Sequence, residues 1–262
     1  MEAYSYLDKP RSGLMNMAID DAMLDFASEH NAVVLRLYRW AEPTLSLGYF
    51  QKIEERELHE ASRSVELVRR ATGGGAIVHD HDLTYSLAVP QVSSHVGAAP
   101  AVYSAVHSVM VEWLKELEFS AKQWHSIYDF SLPSVQRAES GKTEFLCFQR
   151  RSDGDVVVGE HKIMGSAQRR GKAALLQHGS LLLRSSKYAP ELPGIGDLVR
   201  GNLEMLANGR LFAGEMLLRL ERGIDALLRV RLKCGAFLAD ELQMPATDKM
   251  VKFDAPPWRF RA

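Results

Sequence analysis

The chain has 262 residues and sets 32 lysines and arginines against 33 aspartates and glutamates, for a formal net charge of -1. That balance excludes nucleic-acid binding driven by overall charge, and no apolar run approaches the ~20 residues that span a bilayer. MEAYSYLDKP at the start lacks the basic and apolar regions of a signal peptide, and two cysteines (Cys147 and Cys234) without paired Cys/His spacing predict neither a disulfide framework nor structural zinc. The expectation is a reduced, cytoplasmic, soluble protein with no metal, no membrane and no nucleic-acid partner. Its length suits one large domain or two small ones.

Residues 15–29 (MNMAIDDAMLDFASE) place Met15, Ala18, Ile19, Ala22, Met23 and Phe26 at helical spacing. Asn16, Asp20, Asp21 and Asp25 fall mainly on the other side, which predicts an amphipathic helix. Residues 33–40 alternate and are β-rich; Pro43 breaks them, and 44–49 (TLSLGY) read as another strand. Residues 54–64, rich in Glu and Arg, predict a helix. Strand-like 65–68 follows, then a glycine stretch, then strands at 76–78 and 83–89. Residues 100–117 predict a helix with Val102, Val106, Val109, Met110, Trp113 and Leu117 on one face. Residues 156–159 and 162–166 read as paired strands around Glu160 and His161, and 173–177 and 180–183 continue the β character. Beyond Pro190 that character fades. Residues 198–206 and 212–231 predict helices, and Pro245, Pro256 and Pro257 mark an irregular tail. Helices and strands without regular βαβ alternation predict an α+β fold: a mixed, largely antiparallel sheet flanked by helices.

The chemistry centres on RRATGGGAIVHD, residues 69–80. Glycine accepts positive φ and lacks Cβ, so Gly73, Gly74 and Gly75 can press backbone N–H groups against a ligand. The planar forks of Arg69 and Arg70 suit a carboxylate or phosphate. The same residues also fit a plain hairpin turn with two solvated arginines. Further on, Lys162 lies in VGEHKIMGSAQRR between glycine-flanked strands. It either points into a pocket as a point charge on a carbonyl or phosphate oxygen, or stands exposed beside a turn. Cys147, in FLCF, is either a nucleophile favoured by nearby charge from Arg150, Arg151 or Lys162, or a small buried hydrophobe. Cys234 has no comparable setting and reads as structural. His79, His161 and His178 fall in motifs, and each suits a general base or a carbonyl cap. His79 and Asp80 could orient one another only if the backbone turns between them.

RRATGGGAIVHD followed by LTYSL, GEHKIMGSAQRR and LLQHGSLLL resembles the biotin/lipoate protein ligase and octanoyltransferase superfamily, in both order and spacing. The resemblance runs over residues 14–183 and takes in TLSLGYFQ and MNMAIDDAML. It implies a fold related to class II aminoacyl-tRNA synthetases, with helices on the outer face of the sheet. It also implies a substrate site of Arg70, Thr72, Gly73, Gly74, Gly75, His79, Gly165, Ser166, Ala167, His178 and Gly179, with Lys162 against the activated carboxyl. The Cys147-Phe148 pair, fifteen positions before Lys162, is similar to that of the cysteine-dependent octanoyltransferase branch. That branch implies an acyl chain carried from octanoyl-acyl carrier protein, through a Cys147 thioester, to a lysine of a lipoyl domain or glycine-cleavage H protein, with no cofactor. The fully Gly-Gly-Gly loop is instead that of the ligases, which use ATP and Mg²⁺ to make lipoyl-AMP and would make Cys147 a bystander. A binding protein that keeps the fold without turnover is the third possibility. On this resemblance the whole chain reads as a single catalytic domain, with a core at about 14–185, a helical extension at about 190–262 and no full accessory domain.

Overall fold

The computed structural model describes residues 1–90, 99–124, 144–198 and 209–261. Eight strands form the main sheet, in the order β11-β1-β2-β6-β10-β9-β8-β7. They are β1 (Glu2–Leu7), β2 (Ala32–Tyr38), β6 (Asp82–Pro90), β7 (Ala121–Gln123), β8 (Val156–Val158), β9 (His161–Arg170), β10 (Ala174–Leu182) and β11 (Lys233–Cys234). Only the β11/β1 and β1/β2 pairings are parallel; the others are antiparallel. A smaller sheet sets β3 (Thr44–Leu47) between β4 (Glu66–Arg69) and β5 (Ile77–His79).

The period-2 alternation of the strands decides which layer each residue joins. Val33, Leu35 and Leu37 of β2 pack with α2 (Ala99–Glu116) and α4 (Gly209–Leu228) in one core, and Leu83, Tyr85 and Leu87 of β6 do the same. Their even-numbered neighbours Val34, Tyr38 and Ala88 face α1 (Gly13–His30) and α6 (Gln243–Asp254) on the opposite side. Helices therefore cover both faces of the sheet, where the resemblance implied one. The remaining short helices are α3 (Ile195–Leu198), α5 (Leu238–Glu241) and α7 (Pro256–Arg259).

α1 is not amphipathic in the expected sense, because its polar side is buried too. Arg36, fully buried on β2, reaches Asp20 at 3.2 Å, Asn16 Oδ1 at 2.6 Å and Asp8 at 2.9 Å. A buried charge needs such partners, and a strand arginine opposite helix carboxylates leaves no trace in helical spacing. The expected helix at 54–64 is two 3-10 segments, Ile53–Leu58 and Glu60–Ser62. The break at 177–180 does not exist: β10 runs straight through His178 and Gly179.

The tail is not irregular. Pro245 sits in the first turn of α6 and Pro256 opens α7, positions where a missing N–H costs nothing. Lys233 and Cys234, unforeseen as a strand, extend the main sheet beside β1, and Cys234 is exposed at that edge. Beyond Leu198, the helix expected at 198–206 lies outside the described residues. Among the described residues no helix is long and apolar enough to cross a membrane.

Candidate active site

A cavity opens on the α1 side of the main sheet, where the sheet meets the smaller one. Even-numbered residues of β2, β6 and β10 (Tyr38, Thr84, His178 and Ser180) line its floor, and Met17 of α1 and Trp40 close its inner end. The glycine loop between β4 and β5 forms one wall through Arg70, Gly73 and Gly74. The opposite wall is Lys162, Gly165, Ser166 and Ala167 of β9. Gly74 takes a φ of +96°, the left-handed region that favours glycine.

Cys147 reaches this cavity because its backbone is stitched to the glycine loop. Ala76 N–H donates to the Phe145 carbonyl at 3.0 Å, and Cys147 N–H donates to the Ala76 carbonyl at 2.7 Å. A Cβ on Gly75 would sit 3.0 Å from the Cys147 nitrogen, so this approach requires glycine there. Gly75 is thus behind Cys147, not on the cavity wall.

Lys162 arrives by a β-bulge. Val157 pairs with Lys162 but Val156 pairs with Met164, which leaves Ile163 as an extra residue in β9. Residues three apart on a regular strand face opposite ways; the bulge brings Lys162 and Gly165 to one side. The lysine side chain then folds over Gly165, where an added Cβ would meet its Cε at 2.5 Å. Its Nζ lies 3.8 Å from Cys147 Sγ and 3.5 Å from the Cys147 carbonyl oxygen. It also pairs with Asp155 at 2.8 Å, and both side chains are buried. Asp155 is absent from the sequence reading, since an aspartate in SDGD signals only a turn.

The arginines act differently from expectation. Arg69 donates to the carbonyls of Gly48, Gln51, Trp258 and Arg261, and Arg70 to those of Ser46, Gly73 and Gly75. They brace backbone carbonyls, and Arg70, which also lines the cavity, keeps only its Nε without a partner among the described residues. Burial pushes the Arg70 guanidinium down to about 10, still cationic at neutral pH and close enough to Cys147 to feel its charge. Arg150 turns to the Glu144 carbonyl and Arg151 to Glu160, so neither serves the thiol.

Both cavity histidines are occupied at each nitrogen. His79 Nδ1 meets Asp82 at 2.8 Å, not the adjacent Asp80, and its Nε2 meets Ser46 Oγ at 2.9 Å while Trp40 stacks on the ring. Burial holds His79 below the usual imidazole range. His178 lies between Asp20 Oδ2 at 2.9 Å and Thr72 Oγ1 at 2.6 Å. Thr72 thereby anchors the glycine loop from behind the wall. His161 is exposed and away from the cavity.

Ser166 sits opposite Gly179 in the β9/β10 register. Tyr85 OH reaches its Oγ at 2.7 Å, and His107 Nε2 lies 2.7 Å on the other side. His107 Nδ1 bonds the Gly154 carbonyl at 2.6 Å, which requires a proton on Nδ1 and leaves Nε2 to accept from Ser166. Burial pushes His107 down to about 4 from the usual 6.5, so it stays neutral. Neutral His107 stabilises the fold fully above pH ~6.5, and that contribution, roughly 3 kcal/mol, is lost as pH falls through 4. His107→Gln retains both hydrogen bonds without a titrating ring. Urea unfolding at pH 7 and pH 4 is expected to show the variant losing less stability than the parent by about that amount.

Among the described residues, no cluster of His, Cys, Asp and Glu is placed to hold a metal ion. The arrangement is a thiol and an ammonium facing each other at one end of a largely apolar slot, beside a glycine loop. The family model of the lipoyl protein ligase A/B catalytic domain matches residues 12–191, and the chain belongs to that family.

Within the family it falls in the octanoyltransferase branch. Octanoyltransferase LipM of Kyrpidia tusciae is 32% identical over 269 residues, covering 95% of each chain. LipM of Anoxybacillus flavithermus is 30% identical and covers 99% of each. LipM of Macrococcus caseolyticus is 39% identical over 175 residues, which span 64% of this chain and 60% of that protein. Among solved structures, lipoate-protein ligase A bound with ATP is similar in fold, with a TM-score of 0.68 at 22% identity over 99% of each chain. A bi-partite lipoate protein ligase from Thermoplasma acidophilum has a TM-score of 0.64 at 20% identity over 99% of this chain and 96% of that one.

Proposed function

We propose that this protein moves an octanoyl (or lipoyl) group from acyl carrier protein to a lysine of a lipoyl domain or glycine-cleavage H protein, through a thioester on Cys147. The observation that carries this reading is the Cys147 Sγ to Lys162 Nζ approach of 3.8 Å inside the cavity. Near full-length similarity to LipM octanoyltransferases supports it.

Cys147 Sγ attacks the donor thioester carbonyl, and the carrier thiolate departs with the proton that Cys147 gives up. Lys162 offers counter-charge to the attacking sulfur and then to the oxyanion. The acyl chain lies in the slot bounded by Met17, Trp40, Ile77 and Phe148. The acceptor amine next attacks the acyl-enzyme carbonyl, an amide bond forms, and the amine proton ends on Cys147 as its thiolate leaves. Both steps run at the thioester level, so the reaction draws on no ATP and no metal, and it suits the reducing cytoplasm. The C-terminal segment, with its edge strand and its helix against α1, braces this one catalytic domain and forms no accessory domain.

Incubation with octanoyl-acyl carrier protein in the absence of ATP is expected to add one octanoyl mass to the purified protein, removable with hydroxylamine. Acceptor labelling only from free acid with ATP and Mg²⁺, without any adduct, would establish the adenylating ligase instead. Carrier binding with neither product would leave a binding protein.

A further inference from the structure

An ammonium at the reacting centre is useful only if it is held there, and Lys162 has the long, flexible stem that makes this difficult. Of the groups around it, Phe148 offers only a ring face 5.5 Å away, and Cys147 offers a carbonyl oxygen and a sulfur at 3.5 and 3.8 Å. The short contact is Asp155 Oδ2 at 2.8 Å, the sole ion-pair partner of Lys162 among the described residues.

Asp155 is itself fixed from every direction. Its Oδ2 also accepts from the Ser152 N–H at 2.7 Å, and its Oδ1 accepts from Tyr103 OH at 2.8 Å. Burial, and then the Asp155 charge, push the Tyr103 phenol well above its ordinary range, so it remains a donor. Behind Asp155, His107 grips the Gly154 carbonyl, and Gly154 N–H donates to the Trp124 carbonyl at 2.7 Å. Gly154 takes a φ of +87°, a turn that aims the next residue inward. Two hydrogen bonds thus hold the carboxylate and two more hold the backbone just before it, and the remaining contact of the carboxylate is Lys162.

We infer that Asp155 is the positioning residue of the reaction: it tethers Lys162 through one of its three N–H groups and leaves the other two directed at Cys147. Asp155 does not touch the reacting atoms. It sets where the positive charge sits and keeps Lys162 from rotating toward solvent. This assignment rests on the proposed Cys147 chemistry for its kinetic consequence, but the tether itself does not.

Asp155→Asn tests it with two readouts. The amide keeps the size of the side chain but puts no anion against the ammonium, so Lys162 is released. Brief treatment with acetic anhydride, followed by peptide mass mapping, is expected to leave Lys162 protected in the parent and to modify it at least tenfold faster in Asp155→Asn. Equal protection in both would overturn the tether. In the transfer assay, kcat is expected to fall about 30-fold with KM for octanoyl-acyl carrier protein within threefold of the parent. Combined with Lys162→Met, Asp155→Asn is expected to cost nothing further, since residues acting through one another are not additive. Undiminished kcat, or a full additional loss in the double variant, would overturn the positioning role. If the parent shows no octanoyl transfer, the proposed activity fails while the labelling result still judges the tether. Tyr103→Phe, which keeps the carboxylate, is expected to give an intermediate labelling rate; parent-like labelling there would remove Tyr103 from the support.

Discussion

Cys147→Ala is expected to slow octanoyl transfer by roughly 10³-fold or more, because the acyl-enzyme route is lost entirely. Apart from Ser152, which is exposed, the serine and threonine hydroxyls that line the cavity are already engaged. Among the described residues that line the cavity, Ser46 bonds His79, Ser166 is held between Tyr85 and His107, and Ser180 and Thr84 both bond Asp82. Both histidines are committed at each ring nitrogen. Residual transfer is then expected to be direct attack by the acceptor amine on the carrier thioester, aided only by binding. The check is acceptor mass against time with octanoyl-acyl carrier protein as donor. A rate within tenfold of the parent would eliminate the thioester intermediate. Stability is expected to change little, since Cys147 is only partly buried and its backbone bonds persist.

Lys162→Met is the second large effect, a loss of about 10²- to 10³-fold in kcat, the range for deleting a preorganised electrostatic contact to a developing oxyanion. Methionine fills nearly the same space over Gly165, so the cavity shape survives while the charge does not. Asp155 then remains buried with Tyr103 and the Ser152 N–H as partners, and some stability is lost with the ion pair. Lys162→Arg is not expected to rescue. The guanidinium is planar and wider than an ammonium, and the stem already fills the space where a Cβ on Gly165 would lie. Single-turnover acylation of Cys147, followed by intact mass, measures both variants. Acylation by Lys162→Met at the parent rate would move the oxyanion-stabilising role elsewhere, with Arg70, which also lines the cavity, the first residue to test.

Much of this architecture could be read from the chain alone. Period-2 alternation marks β2, β6 and β10, helical spacing marks α1 and α2, and the glycine loop, Cys147 and Lys162 stand in recognisable motifs. The unread part consists of long-range matches. Arg36 looks like an interruption in an apolar strand until Asp20 and Asn16 of α1 are seen across from it. The Ile163 bulge has no signature, yet it decides that Lys162 and Gly165 share a face. Arg69 and Arg70 look like anion ligands because their carbonyl partners, some near 48 and others near 258, are scattered along the chain. The C-terminal prolines read as breakers because their place at helix starts depends on where those helices begin.

The bridge between Ala76 and the turn at Cys147 has a mechanical consequence. The turn at Cys147 is bridged to the loop of the smaller sheet, whereas Lys162 belongs to the larger one, so the two side chains face each other across a seam. The distance between the sulfur and the ammonium is therefore set by how the two sheets are joined, and not within either sheet alone.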